Sequence, residues 1–358
     1  MRRWPVFTCA SLAVLTAVTA CTPPGQRPQS TVQSSGITLD HSSGPTSLGS
    51  LDPAQVRAVL GPAVALVIVN TRSGGAMEGS AFGVSTSSTT TYMLTNNHVV
   101  EGAAKVQVLM PSGDHFTVEV AGADRIRDIA VLRVSARLPL ARLADSGRLS
   151  VGQPVVAIGS ALGAQNQGSL TEGIISGLHR AVAASGPNGT SSEAFGDLIQ
   201  TDAPINAGNS GGPLADARGL VIGMNTATST RGQDISYAIP SSMLKRVADE
   251  LIAGRQPQHS YLGIAYYDEP NALLNGSSLP SFGIVVKNVT PSSPAERAGI
   301  KQGDVIQQFG ATQLRNGETL GALLEQHNPD DRVTVKLVRD GAPLKLDVTL
   351  GRLPSGTT

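Results

Sequence analysis

Gly208-Asn209-Ser210-Gly211-Gly212-Pro213-Leu214 decides how this chain is read. One serine stands among glycines, whose missing Cβ opens turn conformations barred to other residues and frees backbone N–H groups for a ligand. Such a turn suits a nucleophile. A serine hydroxyl attacks poorly by itself, so the chemistry demands an imidazole to take its proton, a carboxylate to orient that imidazole, and amide donors for the developing oxyanion. The oxyanion hole is expected at Gly208, Asn209 and Ser210, with the Gly208 and Ser210 amides as donors.

Upstream, an apolar run from Tyr92 ends in Leu94-Thr95-Asn96-Asn97-His98-Val99-Val100, which delivers His98 at the end of a strand. Asp128 heads Asp128-Ile129-Ala130-Val131-Leu132-Arg133-Val134, a β-type run that buries apolar side chains and leaves its first residue at the rim of a cleft. The expected roles are nucleophile for Ser210, general base and acid for His98, and orienting carboxylate for Asp128. Asp124 competes for the last role, but its setting in Gly122-Ala123-Asp124-Arg125 predicts a loop or cap residue. His41, His115, His179, His259 and His327 lack a matching motif and are expected to be solvated.

These three segments, with Gln200-Thr201-Asp202-Ala203-Pro204-Ile205-Asn206 leading into the serine turn, resemble the trypsin-like, chymotrypsin-fold proteases of the HtrA/Deg family over most of residues 55 to 350. The resemblance implies a mainly β fold of two six-stranded antiparallel barrels, with His98 and Asp128 from the first and Ser210 from the second. It also implies a serine endopeptidase that degrades unfolded or damaged envelope proteins, and trimers built through the protease domains. A noncatalytic peptide-binding chaperone on the same scaffold is the alternative. An esterase fits less well, since its nucleophile elbow leads into a helix and strands follow Ser210 here.

Asn209 departs from the digestive proteases, which place there an aspartate that captures a newly cut N-terminus. A neutral amide cannot form that ion pair, so activity is expected without a freed N-terminus. Ile205, Asn225, Thr226 and Ala227 are the expected walls of the primary specificity pocket. None is charged, which favours small or medium aliphatic residues before the scissile bond.

Apolar runs separated by turn residues predict strands at 63–70, 79–85, 91–95, 104–110, 115–121 and 128–134, then at 153–159, 170–177, 197–202, 212–216, 219–226 and 235–239. A short helix is expected from Pro53 to Leu60. A change to helical period follows at Ser241 to Ala253, where Met243, Leu244, Val247, Leu251 and Ile252 share one face before Gly254. The protease domain therefore spans 51–256. Residues 259–351 resemble a PDZ domain, with Tyr261-Leu262-Gly263-Ile264 as its peptide-binding loop and Pro294-Ala295-Glu296-Arg297-Ala298-Gly299-Ile300-Lys301-Gln302-Gly303-Asp304-Val305-Ile306 as its most specific motif. In that family a peptide C-terminus adds as a strand, its carboxylate meeting backbone amides. Leu320, Leu323 and Leu324, on a helix expected from Glu318 to His327, are equally candidates for the apolar pocket and for the core.

At the N-terminus, Arg2 and Arg3 precede a mostly apolar stretch, Val6 to Ala20, too short for a stable bilayer anchor. This predicts an export signal at residues 1–20. Val18-Thr19-Ala20-Cys21 resembles the bacterial lipobox, which implies acylation of Cys21 and anchoring to the outer face of the cytoplasmic membrane or envelope. Cys9 is the only other cysteine, so the mature protein has no internal disulfide. Residues 21–50, rich in Ser, Thr, Pro, Gly and Gln, are expected to form a flexible tether. With 27 Lys and Arg against 27 Asp and Glu, the net charge is zero and nothing points to nucleic acid. No metal or nucleotide motif occurs, so no cofactor is expected.

Overall fold

The computed structural model describes residues 36–41, 52–160, 167–185, 191–228, 235–267, 283–314 and 317–353, all within the unit Ser34–Thr358. The export signal, Cys21 and the tether apart from 36–41 lie outside the described residues.

The mostly apolar runs Val64–Thr71 and Ile129–Val134, buried along most of their length, and the strands Ala76–Thr86, Thr91–Thr95, Ala103–Leu109 and His115–Asp124 pair antiparallel and close into a barrel. Val67, Val69, Met93, Val106, Val108 and Leu132 fill it. Pro154–Ser160, Gln167–Ser185, Ser191–Thr201, Ser236–Pro240, Val221–Thr228 and Pro213–Asp216 close a second ring through the pairing of Val221–Thr228 with Ser236–Pro240. Its core is Val155, Ala157, Ile175, Ile199, Leu214 and Ile222.

A larger apolar layer joins the barrels. Phe82, Leu94, Ile129, Ile158 and Met224 meet there the buried face of helix Ser241–Ile252, which presents Met243, Leu244, Val247, Ala248 and Leu251 at helical spacing. Each of these side chains larger than Ala248 contributes roughly 1.5–3 kcal/mol when fully buried. Helix Pro53–Leu60 starts where the Asp52 carboxylate accepts from the Ala54 and Gln55 amides at 3.0 and 3.3 Å.

Residues 36–41 correct the tether expectation. Leu39–Asp40 pairs in parallel with Leu143–Ala144, Ile37 is 4% exposed, and Asp40 accepts from Arg142 at 2.5 Å. The reason is local. Two apolar residues that look isolated in sequence, Ile37 and Leu39, find an unpaired strand edge, where ladder bonds and burial together offset the loss of chain freedom.

The C-terminal sheet orders its strands as Ile264–Tyr267, Ile284–Val289, Val305–Phe309, Arg332–Arg339 and Ala342–Thr349, and helix Gly317–Glu325 packs Leu320 into its core beside Phe309 and Val335. Asp304 is buried and accepts from the Lys301 amide and from Arg339 Nε and Nη2, which ties the motif's turn to the far strand.

The two domains meet at the loop before Asp128. Asp124 Oδ1 accepts from the Ile126 and Arg127 amides at 3.1 and 3.3 Å, the cap role expected of it, and lies 3.1 Å from His259 Nε2. His259 is 7% exposed, so it is not solvated: the carboxylate 135 positions earlier supplies a partner that lets the imidazole be buried. Arg127 forms an ion pair with Glu325 at the end of helix Gly317–Glu325. Burial pushes the Glu325 carboxyl up, against the pull of Arg127, His259 and Arg246. His41 and His179 also lean on carboxylates, Asp145 at 3.2 Å and Asp197 at 2.5 Å.

Candidate active site

Strand Thr91–Thr95 runs into a single helical turn, Asn97–Val100, which holds His98 at the surface while its neighbours Asn97 and Val99 are buried. Asp128 lies opposite, at the start of the paired strand Ile129–Val134. Its φ is +54°, a left-handed conformation that costs an L-residue roughly 1–2 kcal/mol. Several contacts hold it there. The Asn96 side chain donates to the Asp128 carbonyl at 3.0 Å, and the His98 amide donates to Oδ1 at 2.8 Å. Oδ2 lies 2.8 Å from His98 Nδ1 and accepts from the Thr226 hydroxyl at 2.6 Å.

The carboxylate is 4% exposed, so its charge is felt strongly by the ring. Burial depresses the His98 imidazole, but the hydrogen bond and charge of Asp128, with the charge of Glu101, outweigh it and hold His98 above its ordinary value. Nδ1 is thereby committed to Asp128, and Nε2 is the nitrogen left to exchange a proton with a substrate-side group.

Ser210 sits in the turn that leads into strand Pro213–Asp216. Its hydroxyl donates to the Thr226 carbonyl at 3.3 Å. Thr226 thus touches Asp128 with its side chain and Ser210 with its backbone. Gly208 has φ +95° and Gly211 has φ +82°. At Gly211 a Cβ would lie 2.2 Å from the Ser80 carbonyl and 2.5 Å from Thr95 Oγ1, so only glycine fits. Among the described residues the amides of Gly208 and Ser210 have no acceptor and are available to an oxyanion. The Asn209 amide donates to the Asn206 carbonyl at 2.9 Å. Asn209 is therefore removed from the expected oxyanion hole, because its N–H closes the turn, and the two expected donors remain.

Ser80 is a member of the site that no motif announced. It is fully buried in the first barrel, its amide donates to the Ser210 carbonyl at 2.8 Å, and its hydroxyl donates to the Gly208 carbonyl at 2.7 Å. The same hydroxyl accepts from the Ser160 amide at 2.9 Å, while its carbonyl accepts from Thr95 Oγ1 at 2.8 Å. One residue of the first barrel thus pins the nucleophile turn of the second. A lone serine inside a strand carries no sequence signature, so only the tertiary pairing reveals it.

The specificity-pocket expectation needs correction at two positions. The Asn225 side chain turns under the serine loop and donates to the Pro213 carbonyl at 3.3 Å, and Thr226 faces Asp128. Neighbouring strand residues face opposite sides, so Asn225 and Thr226 cannot both wall one pocket, and a register shift between Asn225 and Ala227 marks a bulge at this point of the strand. Ile205 is 5% exposed and packs into the second barrel's core. The Ala227 side chain lies outside the described residues.

In the C-terminal domain, Gly263 has φ +88° and a Cβ there would lie 2.2 Å from that of Ser293. The Leu262 and Gly263 carbonyls accept from Ala295 and Thr290, whereas their amides have no acceptor among the described residues. Ile264 opens the strand paired with Ile284–Val289, and Tyr261 pairs with Gly351. Leu320 and Leu324 line the adjoining cleft, while Leu323 packs on the domain core.

Two antiparallel barrels, with His98 and Asp128 paired on the first and Ser210 linked to Asp128 through Thr226 on the second, followed by a smaller C-terminal domain, define a trypsin-like serine protease fold with an added module. Residues 79–224 match the trypsin-like peptidase domain and residues 260–350 match the PDZ domain. The chain belongs to the HtrA family of serine proteases. It is 36% identical over 293 residues to the Do-like serine protease HtrA of Lactococcus lactis, covering 78% of this chain and 71% of that one. It is 37% identical over 273 residues to the Do-like serine protease HtrB of Bacillus subtilis, covering 72% of this chain and 59% of the relative. It spans 55% of a DegP-like relative from Chlamydia trachomatis. The solved HtrA-type protease AlgW with a tripeptide superposes with a TM-score of 0.67 at 32% identity, over 85% of this chain and 98% of that one.

Proposed function

We propose that the chain is a serine endopeptidase acting on unfolded or damaged proteins of the cell envelope. The observation that carries this is the buried Asp128 carboxylate, bonded at once to the His98 amide, His98 Nδ1 and the Thr226 hydroxyl. For attack, the Ser210 hydroxyl leaves the Thr226 carbonyl and gives its proton to His98 Nε2 as Oγ bonds to the peptide carbonyl carbon. The amides of Gly208 and Ser210 then receive the oxyanion; such a donor is worth ~10²–10³ in rate. His98 passes the proton to the leaving amine, and a water repeats the sequence on the acyl-enzyme.

A noncatalytic binder on this scaffold has no use for a left-handed Asp128 or a desolvated carboxylate, both of which cost stability. In this proposal, 51–256 is the protease domain and 259–351 a PDZ domain that takes peptide C-termini at Tyr261, Leu262, Gly263 and Ile264. The pattern of Arg2, Arg3, Val6 to Ala20 and Cys21 supports export and a lipid anchor, and the family resemblance supports a homotrimer. A serine-directed fluorophosphonate is expected to label the wild type and not Ser210→Ala, and denatured casein to be cut only by the former. Equal labelling of both proteins would remove Ser210 from the mechanism.

A further inference from the structure

Beside the free amides of Leu262 and Gly263 lies a cleft of about 200 Å³. Drug-sized ligands occupy pockets of roughly 300–1,000 Å³, so this one is on the scale of a single side chain with its carboxylate. Leu262, Ile264, Tyr266, Leu320 and Leu324 give it an apolar lining from the PDZ domain. The lining does not stop at the domain boundary. Ile126 and Arg127 of the protease domain close the same cleft.

Their placement is built rather than incidental. The Asp124 carboxylate caps the Ile126 and Arg127 amides, Asp124 is joined to His259 at the root of the PDZ domain, and Arg127 is paired with Glu325, next to Leu324. Asp124, Arg127 and His259 are each less than 10% exposed. Ile126, partly exposed, is the apolar face that this buried polar frame turns towards the cleft.

We infer that the pocket for a peptide's last side chain is a two-domain pocket, in which Ile126, positioned by Arg127, helps determine which C-terminal residue is accepted. The inference rests on the peptide-binding role proposed above for the PDZ domain. The favoured partner is a free C-terminus ending in an aliphatic residue of Val or Leu size, since Ile126 narrows a cleft that PDZ side chains alone would leave wider. The Arg127–Glu325 ion pair stands at the border of the same cleft and ties its protease side to its PDZ side.

Fluorescence anisotropy on the full chain in the Ser210→Ala background, which prevents cleavage, tests this with fluorescein-labelled peptides identical except for a terminal Val, Leu or Phe, each as free acid and as amide. Ile126→Ala is expected to move the preference towards Phe, changing the Phe-to-Val affinity ratio about tenfold, the scale of one or two methylenes in an apolar pocket. Ile126→Trp is expected to weaken all three free acids, and Leu320→Trp does the same from the PDZ side. If wild type and Ile126 variants rank the peptides alike while Leu320→Trp abolishes binding, the pocket belongs to the PDZ domain alone and the inference is overturned. If no free acid binds the wild type better than its amide, the peptide-binding role itself falls and takes the inference with it. Unchanged melting temperatures of both Ile126 variants keep these outcomes distinct from misfolding.

Discussion

Ser80→Ala removes one hydroxyl that serves two buried backbone groups. Without it the Gly208 carbonyl loses a 2.7 Å donor and the Ser160 amide loses a 2.9 Å acceptor. An orphaned buried polar group costs about 1–3 kcal/mol, so with two such groups the variant is expected to lose roughly 2–6 kcal/mol of stability. Catalysis should suffer as well. The Gly208 carbonyl belongs to the peptide unit next to the oxyanion donors, and freeing it lets the turn rotate away from the geometry that receives the charge. If one donor is lost in effect, the rate falls by ~10²–10³. The assay pairs urea denaturation with the rate constant for fluorophosphonate labelling, measured well below the unfolding midpoint. Ser80→Cys, nearly isosteric with a weak S–H donor, should fall between. A Ser80→Ala enzyme that labels within twofold of wild type, however destabilised, would show that the turn keeps its shape unaided and refute the pinning role.

Thr226→Val deletes the 2.6 Å donor to Asp128 but leaves the backbone carbonyl for Ser210; the loss of a bond to a charged group, about 1.5–3 kcal/mol, should appear in denaturant midpoints, with Thr226→Ser restoring it. Because only neutral His98 can take a proton, and His98 is held above its ordinary value, kcat/KM should drop as pH falls through that raised value; Glu101→Gln removes one raising charge and should move this acid limb to lower pH. The linked stability has the opposite sense: the raised value means that charged His98 favours the fold at low pH, and the gain vanishes as pH climbs through the folded-state value, so wild type should lose more stability on that climb than His98→Gln. Gly211→Ala meets the Ser80 carbonyl in a left-handed turn and should yield destabilised protein without labelling; a stable, labelled variant would mean the turn has slack.

Much of this architecture is legible in the sequence, and for identifiable reasons. Residues whose chemistry is local announce themselves: the glycines around Ser210, the polar end of the strand bearing His98, and the helical stripe from Met243 to Leu251 each follow from backbone rules acting over a few positions. What stayed hidden depends on partners distant in sequence. Ser80 is one serine within a strand until the second barrel lays its loop across it. His259 reads as a linker residue until Asp124 arrives from 135 positions away. Asn225 and Thr226 face opposite sides of their strand, and the bulge beside them shows only in its pairing with Ser236–Pro240. Ile37 and Leu39 are too few to signal a strand and become one only because an edge is waiting.

The five residues from Asp124 to Asp128 answer to two masters, since Asp124 and Arg127 grip the C-terminal domain and Asp128 grips His98. A single peptide bond separates the last of the gripping residues from the carboxylate that orients the base. Substitutions in this stretch are therefore pleiotropic, and among relatives, drift at 124 and 127 should be matched by compensating changes at 259 and 325.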